Sequence, residues 1–273
     1  MPFNRRTFLS LGSAIALARP ANAYVLAELC RGRTIVTGRR DETRIPGMVR
    51  ALTQALVRVS GDARVAANPA LAELTRTPEA PVIDYTYRDL YAFRPIMDEQ
   101  GTRDRPYEMT VRYDPLKIDA MLAAMGSQPW LTPRPNLVVF LAVRHIGSTF
   151  LLAAAGSQGE LMRQSFQDAA WAAAMDVVIP TRATIAKSEL RVDDMPGATP
   201  AALLPFVDRK LGQIPLLGTL AWSKPLLAWR ATWQLNTNGT SHNWGIEGVN
   251  FDAAFRNGVG GAAQILSGNG DPA

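Results

Sequence analysis

Cysteine and histidine are almost missing from this chain. There is one cysteine, Cys30, and there are two histidines, His145 and His242, among 273 residues. A disulfide framework, a zinc finger, an iron–sulfur site and a multi-histidine metal centre are therefore excluded, since each needs more ligands or partners than the chain carries. No metal and no cofactor is expected. Lysine is scarce too: Lys117, Lys187, Lys210 and Lys224 are the whole set. Nearly all of the positive charge behind the formal net charge of +5 is arginine, scattered singly or in pairs such as Arg39-Arg40. A nucleic-acid surface clusters its cations and interleaves aromatics, so these arginines read as a solvated surface and no nucleic-acid partner is expected. Long apolar runs are absent as well. Leu137 to Val143 and Phe150 to Ala155 are separated by Arg144, His145 and Gly147. Neither approaches the roughly 18 residues of a membrane span. With 47% hydrophobic and 19% charged residues, the chain nevertheless has enough apolar side chain for a folded core.

The clearest motif is at the start. Asn4-Arg5-Arg6-Thr7-Phe8-Leu9 is a twin-arginine pattern, and the apolar stretch Leu9 to Ala18 follows it. Pro20 breaks that stretch, and Ala21-Asn22-Ala23 before Tyr24 has the small-x-small form of a cleavage site. Basic region, short apolar region and cleavage box together describe an export signal over residues 1–23. A periplasmic mature protein without a membrane span is the expected product. Ala27-Glu28-Leu29 before Cys30 is not a lipobox.

Residues 24–132 read as a small β-α-β-β-α module. Thr34–Thr37 suggests a strand. Ile45, Met48, Val49, Leu52, Leu56 and Val59 fall on one helical face that Gly61 closes. Asn68 to Thr75 suggests a short helix and Val82 to Leu90 a strand. Tyr107, Met109, Val111 and Tyr113 alternate with polar residues, and Asp114-Pro115 starts a helix. A proline-rich boundary around Pro129, Pro133 and Pro135 follows.

Residues 133–267 read as an α/β sandwich. Leu137–Val143 and Thr149–Ala154 form a hairpin, then come a helix from Glu160 and a strand from Asp176 to Ile179. A polar segment containing Asp193-Asp194 leads to a helix over Pro200–Lys210 with Leu203, Leu204 and Val207 inside. Three strands, 216–222, 228–235 and 241–249, form a meander whose last turn is Asn238-Gly239. Asn250 caps a closing helix, and residues 268–273 read as a flexible tail. The fold class is α/β in the α+β sense: two small modules, each a sheet with helices packed on it.

The chemistry-bearing motifs are thin. Gly258-Val259-Gly260-Gly261-Ala262-Ala263 has dinucleotide-fingerprint spacing, but it sits within the last helix instead of after a first strand, so close packing explains it better. His145 and His242 are the only imidazoles, and no Gly-x-Ser-x-Gly nucleophile turn accompanies them. Asp193-Asp194 reads as a polar loop. Trp222, Trp229, Trp233 and Trp244 fall on the last three strands and are either core or a partner surface.

Several stretches resemble a known family: Ala55-Leu56-Val57-Arg58-Val59-Ser60-Gly61, Val111-Arg112-Tyr113-Asp114, Trp130, Arg134-Pro135, Leu137 to Ala142 and Val177-Val178-Ile179-Pro180. On these the chain resembles the bacterial exported "domain of unknown function 2066" family across most of its mature length. That resemblance implies export and an uncharacterised role, and it transfers no catalytic residue. The second module also resembles the TolB amino-terminal domain in topology, and the first that of flagellar-ring accessory proteins. The reading taken is a non-enzymatic envelope interaction or assembly-accessory protein with another envelope protein as partner. The alternatives are a hydrolase using a histidine-based site and a small-ligand or lipid-binding protein.

Overall fold

The computed structural model describes residues 26–92, 97–98, 101–102 and 104–272. The export signal, with Arg5, Arg6, Phe8, Leu9, Ala21, Ala23 and Tyr24, lies outside the described residues.

The first half is built around a three-stranded antiparallel sheet. Its strands are β1 (Arg31–Thr37), β2 (Val82–Asp89) and β5 (Pro106–Tyr113), in the order β1-β5-β2. A two-residue ladder, β3 (Met97–Asp98) with β4 (Gly101–Thr102), lies between β2 and β5 in sequence. Helix α1 (Asp41–Ser60) covers one face of the sheet. Its apolar stripe, Met48, Leu52, Leu56 and Val59, is fully buried against Val36, Met109, Val111 and Tyr113. The period of two in β5 therefore meets the period of 3.6 in α1. Gly61, at φ 71°, ends α1 in the left-handed conformation, and its N–H bonds the Val57 carbonyl. After the short helix α2 (Leu71–Leu74) and strand β2, helix α3 (Pro115–Ala124) starts on Asp114, whose side chain accepts from the Leu116 N–H. The other face of this sheet is charged, with Arg112 paired to Asp84 and Arg88 to Glu108.

The second half is a six-stranded sheet. Strands β6 (Asn136–His145), β7 (Ser148–Leu151), β9 (Gln213–Ser223), β10 (Ala228–Thr237) and β11 (Thr240–Val249) run in the order β11-β10-β9-β6-β7, and β8 (Val177–Val178) pairs parallel to β6. Strands β6 and β9 are parallel too, whereas β9-β10, β10-β11 and β6-β7 pair antiparallel. Helices α4 (Glu160–Ala173) and α6 (Phe251–Leu266) pack on one face, and Phe166 of α4 stacks on Phe255 of α6 with centroids 3.9 Å apart. Helix α5 (Arg182–Ser188) leads into the irregular chain to Leu211, which covers the opposite face of β6 and β9, with Met195 and Leu203 against Val138, Phe140 and Leu217. The Asn238-Gly239 turn has both residues at positive φ, 51° and 78°, as a two-residue hairpin requires.

Three local expectations need correction. Pro200–Phe206 is a 3-10 helix, not an α-helix, and Leu204 is 39% exposed. Pro205 inside it removes a backbone donor and blocks continuation of an α-helix. Residues 182–188, read as part of a polar stretch, form a helix that the Thr181 side chain caps at the Thr184 N–H. Residues 268–272 are not a free tail. The Asn269 side chain donates to the Ser60 carbonyl at 3.2 Å, Arg64 donates to the Asn269 carbonyl at 2.6 Å, and Gln264 donates to the Asp271 carbonyl at 2.9 Å.

Candidate functional site

Two places in the fold gather charge and space. The first is the junction between the two sheets. Arg134, just before β6, sends its guanidinium between the ends of two helices. Nη1 donates to the Ala173 and Ala174 carbonyls at 3.1 and 3.2 Å, and Nη2 donates to the Arg58 carbonyl at 2.7 Å. These are last-turn carbonyls of α4 and α1, where unpaired acceptors and the negative ends of two helix macrodipoles coincide. Arg58 is itself buried. It donates to the carbonyls of Glu28, Leu29 and Trp171 and lies 4.1 Å from the Trp171 ring centroid. Arg33 approaches the same ring at 4.3 Å and pairs with Asp168 at 2.6 Å. Among the described residues no carboxylate pairs with Arg58 or Arg134. Both guanidinium groups are lowered to about 10, Arg134 by burial and Arg58 by burial first and then by the neighbouring cations Arg134, Arg33 and Arg31. Both therefore stay charged at neutral pH, compensated by carbonyl dipoles and aromatic faces. A cavity of about 420 Å³ opens beside this cluster, lined by Leu26, Leu29, Trp130, Leu131, Arg134 and Ala174 among others.

The second place is the edge of the six-stranded sheet at β7. A groove of about 520 Å³ runs between β7 and α5. Its lining includes Phe150, Leu151, Ile185 and Val192, with Arg182 and Arg191 at its sides. Next to it, Arg163 donates to the carbonyls of Ala153, Gly156 and Gln158 and so fixes the loop that closes one end. Arg144 pairs with Asp193 at 3.2 Å. Arg182 and Arg191 are exposed, and among the described residues neither has a carboxylate partner.

The residues singled out in the sequence fall elsewhere. Trp233 is fully buried, and Trp229 and Trp244 are 8% exposed. Their strand face is the one that α4 and α6 cover, so these three are core and cannot form a partner surface. Trp222 is half-buried, in edge contact with Trp229 at 5.4 Å. The glycines of the fingerprint-like run serve this core. A Cβ on Gly258 would lie 2.5 Å from the Trp233 ring, and one on Gly261 would lie 2.4 Å from Trp244 Nε1. His145 is exposed and stacks on Trp229 at 5.2 Å, while His242 faces Leu235, six residues further along β10, and pairs with Asp271 at 2.5 Å. At strand rise that separation is about 20 Å, so the two imidazoles do not share a site. Asp194 accepts from the Arg191 N–H at 3.2 Å, and Asp193 is held by Arg144. Cys30 is buried, and burial pushes its thiol up to about 12.

The groove was not visible in the sequence as a site, because α5 supplies one wall. The Thr181 cap ahead of Arg182-Ala183-Thr184-Ile185-Ala186-Lys187 is the signal that marks that helix. Among the described residues no helix is long and apolar enough to cross a membrane.

Compared with known proteins, residues 23–131 match one family model, "Domain of unknown function (DUF8605)". The chain therefore carries an uncharacterised domain over its first sheet and helices. The match is to this model and not to the 2066 family, and it covers the first half instead of most of the mature length. No curated protein and no solved structure matches the chain.

Proposed function

We propose that this chain is an exported protein of the bacterial cell envelope that works by binding another protein, not by catalysis. The observation that carries the reading is the open groove along the β7 edge, with its apolar lining and two exposed arginines that have no carboxylate partner among the described residues. The twin-arginine pattern and cleavage box at residues 4–24 support export. The two histidines stand apart, one against Trp229 and the other on Asp271, which favours binding over histidine-based hydrolysis. A photo-crosslinking amino acid at Thr149 or Gln158, both exposed beside the groove, tests the reading in cells that export the full chain. The expected result is one reproducible envelope adduct from these positions and none from Asn243 on the far edge strand. Absence of any adduct, or retention of the unprocessed chain in the cytoplasm, refutes it.

A second reading, small-ligand or lipid binding, has one specific observation in its favour. The 420 Å³ cavity between the two sheets falls within the usual size range of small-molecule pockets and is lined by Leu26, Leu29, Trp130 and Leu131. Native mass spectrometry of the protein purified from its host tests it, since a retained apolar ligand adds a discrete mass.

A further inference from the structure

The β7 groove has a backbone side as well as a side-chain side, and the two together specify a class of partner. Leu152 N–H bonds the Leu141 carbonyl, and β7 pairs with β6 in unbroken antiparallel register from Ala142↔Leu151 to His145↔Ser148. Alternation of the ladder then turns the N–H and C=O of Ser148 and Phe150 toward β6, and those of Thr149 and Leu151 toward the groove. Among the described residues no other strand pairs with β7. Over Ser148–Leu151 the edge has no lysine, no proline and no bulge to turn away an incoming strand, and its four residues limit the added strand to a short one.

We propose that this edge takes an acidic, extended segment of the partner as an added strand, with Arg182 and Arg191 receiving its carboxylates. The inference rests on the binding reading above and names the chemistry of its partner. Main-chain bonds to Thr149 and Leu151 supply the pairing, the apolar lining of Phe150, Leu151, Ile185 and Val192 takes every second side chain, and the arginines take acidic ones. Charge decides the occupant. The mature chain stays cationic, at +2 once Arg5, Arg6 and Arg19 leave with the export signal, and among the described residues Arg182 and Arg191 have no carboxylate partner, so a segment bearing two or three carboxylates complements them better than a second copy does. The four residues of β7 span about 13 Å, which fits a short linear segment.

The test uses the full mature chain and three fluorescein-labelled decapeptides. One alternates Val and Glu, one alternates Val and Lys, and one is the Val–Glu peptide with every second amide N-methylated. Anisotropy at low salt is expected to show binding of the Val–Glu peptide, at least tenfold weaker binding of the Val–Lys peptide, and loss of binding on N-methylation. The charge-reversed double variant R182E/R191E is expected to weaken the Val–Glu peptide at least tenfold; should that variant melt early, R182Q/R191Q replaces it. Equal binding of acidic and basic peptides, no binding of either, unchanged binding after N-methylation, or a dimer that forms through this edge in ultracentrifugation overturns the proposal. If the peptides fail while adducts from Thr149 and Gln158 persist, the acidic-strand inference falls and the binding reading stands. Loss of the adducts removes both.

Discussion

Arg134→Ala should be the most damaging single substitution outside the apolar core. The parent guanidinium makes three well-placed bonds to carbonyls, at 2.7, 3.1 and 3.2 Å, and covers Trp130 with its carbon 4.3 Å from the ring centroid. Bonds from a charged donor are worth about 1.5–3 kcal/mol each. Against this, burial that lowers the group to about 10 disfavours the cation by roughly 3 kcal/mol. The net loss is then about 2–6 kcal/mol. For a folded chain of this size the melting temperature should fall on the order of 5–20 °C. Arg134→Lys keeps the charge, but one ammonium cannot span both helix ends, so it should recover less than half of the loss. Thermal melts followed by circular dichroism measure both variants. Hydrogen exchange should show the added opening at the ends of α1 and α4. If Arg134→Ala melts within ~2 °C of the parent, or if Lys restores it fully, the two-helix clamp is not what holds this junction.

The glycines of α6 give a contrast within one helix. Gly258→Ala forces a methyl into the Trp233 ring and should lower stability by about 1–2 kcal/mol despite better helix propensity. Gly260→Ala meets open space and should raise stability by roughly 0.5–1 kcal/mol; urea denaturation separates the two. Cys30, with its thiol pushed up to about 12, should be under ~0.1% thiolate at pH 8. It should react with a thiol reagent only after denaturant is added, and labelling of the native protein at the rate of free cysteine would contradict its burial. Deleting residues 268–273 removes the Asn269 bonds to Ser60 and Arg64 and frees His242 from Asp271. A loss of about 1–2 kcal/mol is expected, and an unchanged urea midpoint would mean that the terminal segment does not hold the two halves together.

Periodicity made the regular elements legible. Alternation of Met109, Val111 and Tyr113, the α1 stripe and the Asn238-Gly239 turn each carry a local geometric requirement that the structure meets. Helix α5 was not legible by that route, because its seven residues bury no side chain fully and so show no apolar period; only its threonine cap marks it. The tryptophan row was ambiguous for a related reason. Alternation shows that Trp229 and Trp233 share a face, but not whether helices cover that face. The anchoring of the last residues depends on contacts more than 200 residues away in sequence, which no local pattern encodes. The groove combines three such blind spots: an unpaired sheet edge, a short helix and two arginines indistinguishable in sequence from the other scattered ones.

The family match ends at residue 131, three residues before Arg134. The segment that the family model matches is therefore smaller than the unit that is physically closed. Cut at that boundary, α1 would return its Arg58 carbonyl to water and Trp130 would lose the guanidinium that covers it. In this chain the first sheet and its helices depend, at their longest helix, on a cation that belongs to the second half.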